Sequence, residues 1–138
     1  MDAKSTELQA EIDRLADRLD ARTVPVGLLT NDGLNIYVGD DGWYHYTFYE
    51  RGKLGFDRRG SLDDVLYWFC QGEVGSLAHK YVGDRAQAFQ FEYDALRRFK
   101  PEWAQRNVRE TAAMFRQHHP NEPQPEGISL LPDIGEAL

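Results

Sequence analysis

Two carboxylate pairs, Asp40-Asp41 and Asp63-Asp64, four histidines and a single cysteine are the residues of this chain whose types could do chemistry. Neighbouring carboxylates can share acid and base roles in a hydrolase. Each pair here has a simpler use. Asp40 and Asp41 precede Gly42 in a turn-rich stretch, where aspartate favours tight backbone geometry. Asp63 and Asp64 fall in the first turn of a predicted helix, where negative charge complements the helix dipole. The histidines are not spaced as metal ligands: His45 falls in a predicted strand, His79 follows a helix, and the adjacent His118 and His119 would point about 100° apart on a helix. Cys70 sits in the body of an apolar helix, where cysteine behaves as a small hydrophobe. Ser61 is explained as a helix cap, and "GEVG" and "GKLGF" lack the Lys-Ser/Thr and the strand-to-helix placement of a phosphate loop. No catalytic constellation, metal set or cofactor loop emerges, which points to a binding protein rather than an enzyme.

The elements that carry these residues can be read from periodicity. Ser61 and Asp64 form a capping box, and Leu62, Val65, Leu66 and Phe69 then follow at i, i+3, i+4 and i+7. That stripe is expected to be core. Tyr67, Trp68 and Cys70 widen the apolar surface, so the helix is buried over most of its circumference or shows an aromatic shoulder to something else. Tyr67 and Trp68 are expected against the later helices. Upstream, residues 6–21 read as an amphipathic helix capped by Thr6 with Gln9, followed by a connection with a short strand at Val26 to Leu29. Downstream, Gly72, Gly75 and Gly83 suggest a helix end, a turn and a second short helix. Further helices cover residues 85–99, with Phe89, Tyr93, Leu96 and Phe99 in line, and Pro101 to Pro120, with Ala104, Val108, Ala112 and Phe115 inward.

Between them the period changes to two. Leu34, Ile36 and Val38, then Tyr44, Tyr46 and Phe48, then Leu54 and Phe56 share one side of an antiparallel meander broken by "GDDG" and "ERGK". The other side carries Asn35 and Tyr37, then Trp43, His45, Thr47 and Tyr49, then Lys53, Gly55 and Asp57. The expected class is α+β: a small three- to four-stranded antiparallel meander packed on one face by an N-terminal helix and three to four C-terminal helices. Residues 1–120 are read as one domain and 121–138 as an acidic, Pro- and Gly-containing tail lying extended over it.

The sheet side turned away from the helices should be mostly polar, yet it is aromatic. Tyr37, Trp43, His45 and Tyr49, rimmed by Asp40, Asp41 and Asp57, therefore form the candidate partner-binding surface. The alternative is that the N-terminal helix or the tail covers them as a second small core. The balance of 16 Lys and Arg against 23 Asp and Glu gives a net charge of -7, which disfavours nucleic acid as a ligand. Residues 120–138 hold Glu122, Glu126, Asp133 and Glu136 with no Lys or Arg, so the tail accounts for -4 and would prefer a basic partner if it docks. No apolar run approaches the ~20 residues of a membrane span and no signal-peptide pattern opens the chain, so a cytoplasmic protein is expected.

The order of motifs resembles the bacterial immunity protein 63 family of polymorphic toxin systems over about residues 42 to 120. The pieces that carry the resemblance are the Tyr46 to Gly52 hairpin "YTFYERG", the "LDDVLYWF" helix, "SLA" at 76–78, the "PEWAQR" helix start and "HHP". The resemblance implies a non-enzymatic protein that binds and neutralises a cognate toxin made by the same cell, and it brings no catalytic residues. A basic toxin, as nucleases tend to be, would suit the acidic charge. A small-ligand module, with the meander aromatics and Tyr67/Trp68 lining a pocket, is the competing reading.

Overall fold

The computed structural model describes residues 2–27 and 32–138. Its elements are α1 (Ala3–Arg18), β1 (Gly33–Val38), β2 (Tyr44–Glu50), β3 (Lys53–Gly60), α2 (Leu62–Tyr81), α3 (Arg85–Arg97), α4 (Pro101–His118) and a 3-10 turn over Glu126–Leu130. This is the α+β arrangement expected: one helix, a three-stranded antiparallel sheet, then three helices. Two compact units are present, Met1–Cys70 and Gln71–Leu138, and the boundary falls inside α2.

In the first unit, α1 begins earlier than its periodicity suggests because Asp2, not Thr6, is the cap. The Ser5 N–H donates to Asp2 Oδ1 at 2.7 Å, and the Thr6 hydroxyl donates to the Asp2 carbonyl instead. Gln9 is thereby released to hold the chain that follows: its Oε1 accepts from the Val26 N–H at 2.7 Å and its amide donates to the Val24 carbonyl at 3.1 Å. Leu8, Ile12 and Leu15 are buried as the helical stripe requires. Of the strand expected over Val26 to Leu29, Val26 and Gly27 are not in a strand, although the Gly27 N–H donates to the Ile36 carbonyl at 2.8 Å; Leu28 and Leu29 lie outside the described residues.

The sheet order is β1-β2-β3, so β3 is an edge strand. Register sets Tyr37 opposite His45 and His45 opposite Arg59, with Asn35, Thr47 and Asp57 forming the next row. A slip at Phe48/Tyr49 pairs Phe48 with Phe56 but Tyr49 with Leu54, leaving Gly55 as the extra residue of a bulge. Directly opposed residues share a face. Leu54 therefore joins Tyr49 rather than Phe56, correcting the strict alternation assumed from sequence. Glycine suits the bulge because a Cβ on Gly55 would lie 3.1 Å from the Phe48 carbonyl oxygen.

The capping box of α2 forms as expected, with the Ser61 N–H donating to Asp64 Oδ2 at 3.0 Å and the Asp64 N–H donating to Ser61 Oγ at 3.1 Å. Val65, Leu66, Tyr67, Phe69 and Cys70 are all buried, so the start of α2 is covered on most sides. Trp68 is half-buried and tilts against Tyr46 of the sheet, ring centroids 6.1 Å apart.

In the second unit α2 continues unbroken through Gly72 and Gly75, where a helix end and a turn were expected. Each glycine costs a helix about 1 kcal/mol relative to alanine. Burial of Val74 and Ala78 on the same turns outweighs that cost. The break comes at Gly83, after which Asp84 caps α3 by accepting from the Gln87 N–H at 2.9 Å. Helices α3 and α4 pack together, with Phe89 meeting Phe115 edge-on at 6.1 Å, and Leu96, Trp103, Ala104, Val108 and Ala112 on them are buried. The tail is not simply extended. Its 3-10 turn packs on α3 and α4, Gly127 sits against the Phe115 ring, and Arg109 Nη2 donates to Glu136 Oε1 at 2.5 Å.

Phe69 is fully enclosed whereas Ser61 acts only as a cap. Phe69→Ala should therefore lower stability by about 3–5 kcal/mol and Ser61→Ala by about 1 kcal/mol in urea denaturation. Equal losses would mean that the aromatic start of α2 is not core.

Candidate functional site

The site is built where the β1–β2 hairpin meets the β3 edge. The hairpin closes through a Gly42 N–H bond to the Gly39 carbonyl at 3.0 Å and a Gly39 N–H bond to the Trp43 carbonyl at 2.9 Å. Gly42 takes φ +83°, a left-handed conformation that glycine adopts at no steric cost. Asp41 is turned back towards the sheet, accepting the Trp43 N–H on Oδ1 at 3.0 Å.

His45, on β2, reaches a carboxylate with each ring nitrogen. Nδ1 lies 3.0 Å from Asp57 Oδ1 on β3, and Nε2 lies 3.1 Å from Asp41 Oδ2 and 3.2 Å from its Oδ1. The Tyr37 ring of β1 stacks on the imidazole, centroids 4.8 Å apart and planes 6° from parallel. Arg59 approaches Asp41 from β3 at 3.8 Å. Three segments, β1, the hairpin turn and β3, thus converge on one ring of β2 that is only 7% exposed.

Electrostatics follow from this geometry. Ionised carboxylates only accept, so two of them are both satisfied when each ring nitrogen carries hydrogen, which favours the imidazolium form of His45. Burial works against that charge, but the bonds to Asp57 and Asp41 and their negative charges prevail, and the His45 pKa lies above its ordinary 6.5. Asp41 is held below the usual carboxyl value first by the Trp43 N–H, then by the His45 bond. Burial raises the Tyr37 hydroxyl pKa, with the charge of Asp57 adding to it.

Of the residues selected from sequence, Tyr37, Asp41, His45 and Asp57 come together in this cluster. Trp43 projects from the hairpin with 48% of its surface exposed, and Asp40 is exposed beside it. Tyr49 lies further along the same face, opposite Gly33 and Leu54, and is half-buried. The face is not a wet surface throughout, because Asn35 and Thr47 at its centre are buried. Two contributors escaped sequence reasoning. Arg59 was recoverable by extending the alternation two residues past Asp57. Gly39 was not, since only the folded hairpin shows that a Cβ there would lie 2.6 Å from Asp41 Oδ1 and 2.7 Å from His45 Nε2.

The cluster ties the β1–β2 hairpin to the edge strand β3. Each imidazole nitrogen lies within hydrogen-bond distance of a carboxylate. Among the described residues no group of three or more His, Cys, Asp or Glu is placed to hold a metal ion, and no helix is long and apolar enough to cross a membrane.

Comparison with known families decides the grouping. The family model for Immunity protein 63 matches residues 40–113, more than half of the chain. The chain belongs to the immunity protein 63 family. The match takes in the Asp40–Trp43 hairpin, His45, the bulged edge strand and the α2 capping box. An immunity role follows from membership, and an immunity protein implies a cognate toxin as its partner. No curated protein and no solved structure matches the chain.

Two predictions follow from the His45 cluster. Because the folded pKa of His45 is raised, its stabilising contribution is fully present below 6.5 and is lost as pH rises through the folded value. Asp41 has the opposite sign: its contribution is present above the ordinary carboxyl value of 3.8 and is lost as acid protonates it. Denaturation across pH should therefore show wild type losing its advantage over His45→Gln on the alkaline side of 6.5. A constant difference between the two proteins would refute the charged clamp. Gly39→Ala should push Asp41 off the ring and move the His45 titration, followed by NMR, back towards 6.5.

Proposed function

We propose that this immunity protein 63 member is a non-catalytic cytoplasmic inhibitor that binds a cognate polymorphic toxin one-to-one and occludes its active site or substrate path. Family membership over residues 40–113 is the observation that carries the reading. The contact surface centres on the β1–β2 hairpin. Trp43 and Asp40 project from it, Tyr37 and Tyr49 lie behind, and Asp41 and Asp57 remain partly open at the rim.

The physics of binding favours this surface. Exposed tryptophan is among the commonest interface anchors. A hairpin already fastened by His45 loses little freedom when a partner docks. The net charge of -7 speeds encounter with a basic toxin, a nuclease among them, and that steering weakens as salt is added.

Co-expression with the toxin domain encoded beside this protein tests the reading. Rescue of growth together with a stable one-to-one complex is expected; toxicity that persists without any complex would end it. Within the complex, Trp43→Ala should weaken affinity by at least about tenfold, as for a hot-spot aromatic, and Asp40→Asn by less. Both side chains are exposed, so the unfolding midpoint should stay at the wild-type value. Wild-type affinity in Trp43→Ala would place the contact elsewhere.

A further inference from the structure

The sheet carries a second unusual surface, on the side that was expected to be core. Phe48 and Phe56 face each other across β2 and β3 with ring centroids 5.8 Å apart, yet they are 38% and 39% exposed. Tyr46 continues the row, 6.1 Å from Phe56, and Trp68 of α2 closes it. The row thus runs out from beside α2 into solvent. Core packing accounts for its Tyr46 and Trp68 end but leaves the two phenylalanines open.

Its charge is also out of keeping with the chain. On this face and in the turn beside it, Arg51, Lys53 and Arg58 stand against Glu50, a local charge of +2 in a protein of -7. The rest of the chain therefore carries -9. Arg58 lies over the Phe56 ring at 5.1 Å and over the Trp68 ring at 5.9 Å. A guanidinium held by cation–π attraction to two rings keeps N–H donors with which it can take a carboxylate bidentately. Neither Arg58 nor Lys53 has an ion-pair partner among the described residues. At the hairpin end of β3, Glu50, Arg51, Lys53, Leu54 and Gly55 line an open depression of about 430 Å³.

We infer that the Phe48–Phe56–Arg58 face of the sheet is a second docking surface, taking a carboxylate-bearing, apolar-backed element of the cognate toxin. Charge complementarity selects the occupant: a basic, aromatic patch attracts acid, while the net charge of -7 on each copy opposes self-association. Docking occurs through side chains rather than by strand addition. The Gly55 bulge and the Lys53 and Arg59 side chains on the edge strand are features that block edge pairing. The toxin would then be held by the hairpin on one side of the sheet and by this row on the other. Overall charge sets the rate of approach, and the local basic row sets the register.

The inference rests on the immunity reading, and affinity measurements on the complex with the neighbouring toxin domain separate the two. Phe56→Ser and Arg58→Glu should each weaken binding at least about tenfold, and Arg58→Lys by less, because it keeps the charge but loses the planar fork. Circular dichroism and the unfolding midpoint check that each variant is folded, and the equally exposed Phe48→Ser replaces any variant that is not. A tight wild-type complex that the variants reproduce would overturn this surface and leave the immunity role standing. Absence of any wild-type complex would overturn both. Tighter binding by Arg58→Glu would mean that the element facing β3 is basic, and would also overturn the inference.

Discussion

One buried imidazole, with a carboxylate on each of its nitrogens, fixes how this sheet presents itself. His45 joins the β1–β2 hairpin through Asp41 to the edge strand through Asp57, and Tyr37 covers the ring. Removing either carboxylate would leave a buried ring nitrogen short of a bond, which costs more than the bond contributes. The hairpin that carries Trp43 and Asp40 is therefore not an independent loop. Its position is set by electrostatics inside the sheet, and Gly39 is small because that arrangement leaves no room for a methyl group.

The same clamp changes what the acidic residues mean. Read as a string, Asp41 and Asp57 look like free charge on a binding face. In the fold they neutralise His45 and, for Asp41, meet Arg59 as well. The free negative charge of the face is reduced to Asp40 and the outer carboxylate edges, while exposed cations gather on β3. A net charge of -7 is thus a poor guide to the local sign of the sheet. Long-range steering and short-range matching are carried by different residues.

Much of the fold was legible in the sequence because its cues are local. The Ser61/Asp64 capping box, the Pro101 helix start and the period-two meander each depend on residues within a few positions of one another. The failures share the opposite property. Thr6 looked like a cap until Asp2 took the role, and Gly72 and Gly75 looked like breaks until burial of Val74 and Ala78 overrode their propensity. Alternation misplaced Leu54 because a bulge one residue away reverses the faces. The site was half legible for the same reason. Alternation alone grouped Tyr37, His45 and Asp57, whereas the return of Asp41 onto the ring and the exposure of Phe48 and Phe56 depend on how the hairpin folds back and how far helix cover extends.

Cys70 is the sole thiol of the chain and is fully enclosed. Thiol reagents react with accessible thiolates, so a fully buried cysteine is silent while its surroundings stay closed. The protein therefore contains its own clock for opening. The rate at which Cys70 is alkylated reports how often the enclosed turn of α2 opens to solvent, with no label introduced and no second sulfur to confuse the count. A bound partner that grips the sheet would slow that clock without touching the cysteine.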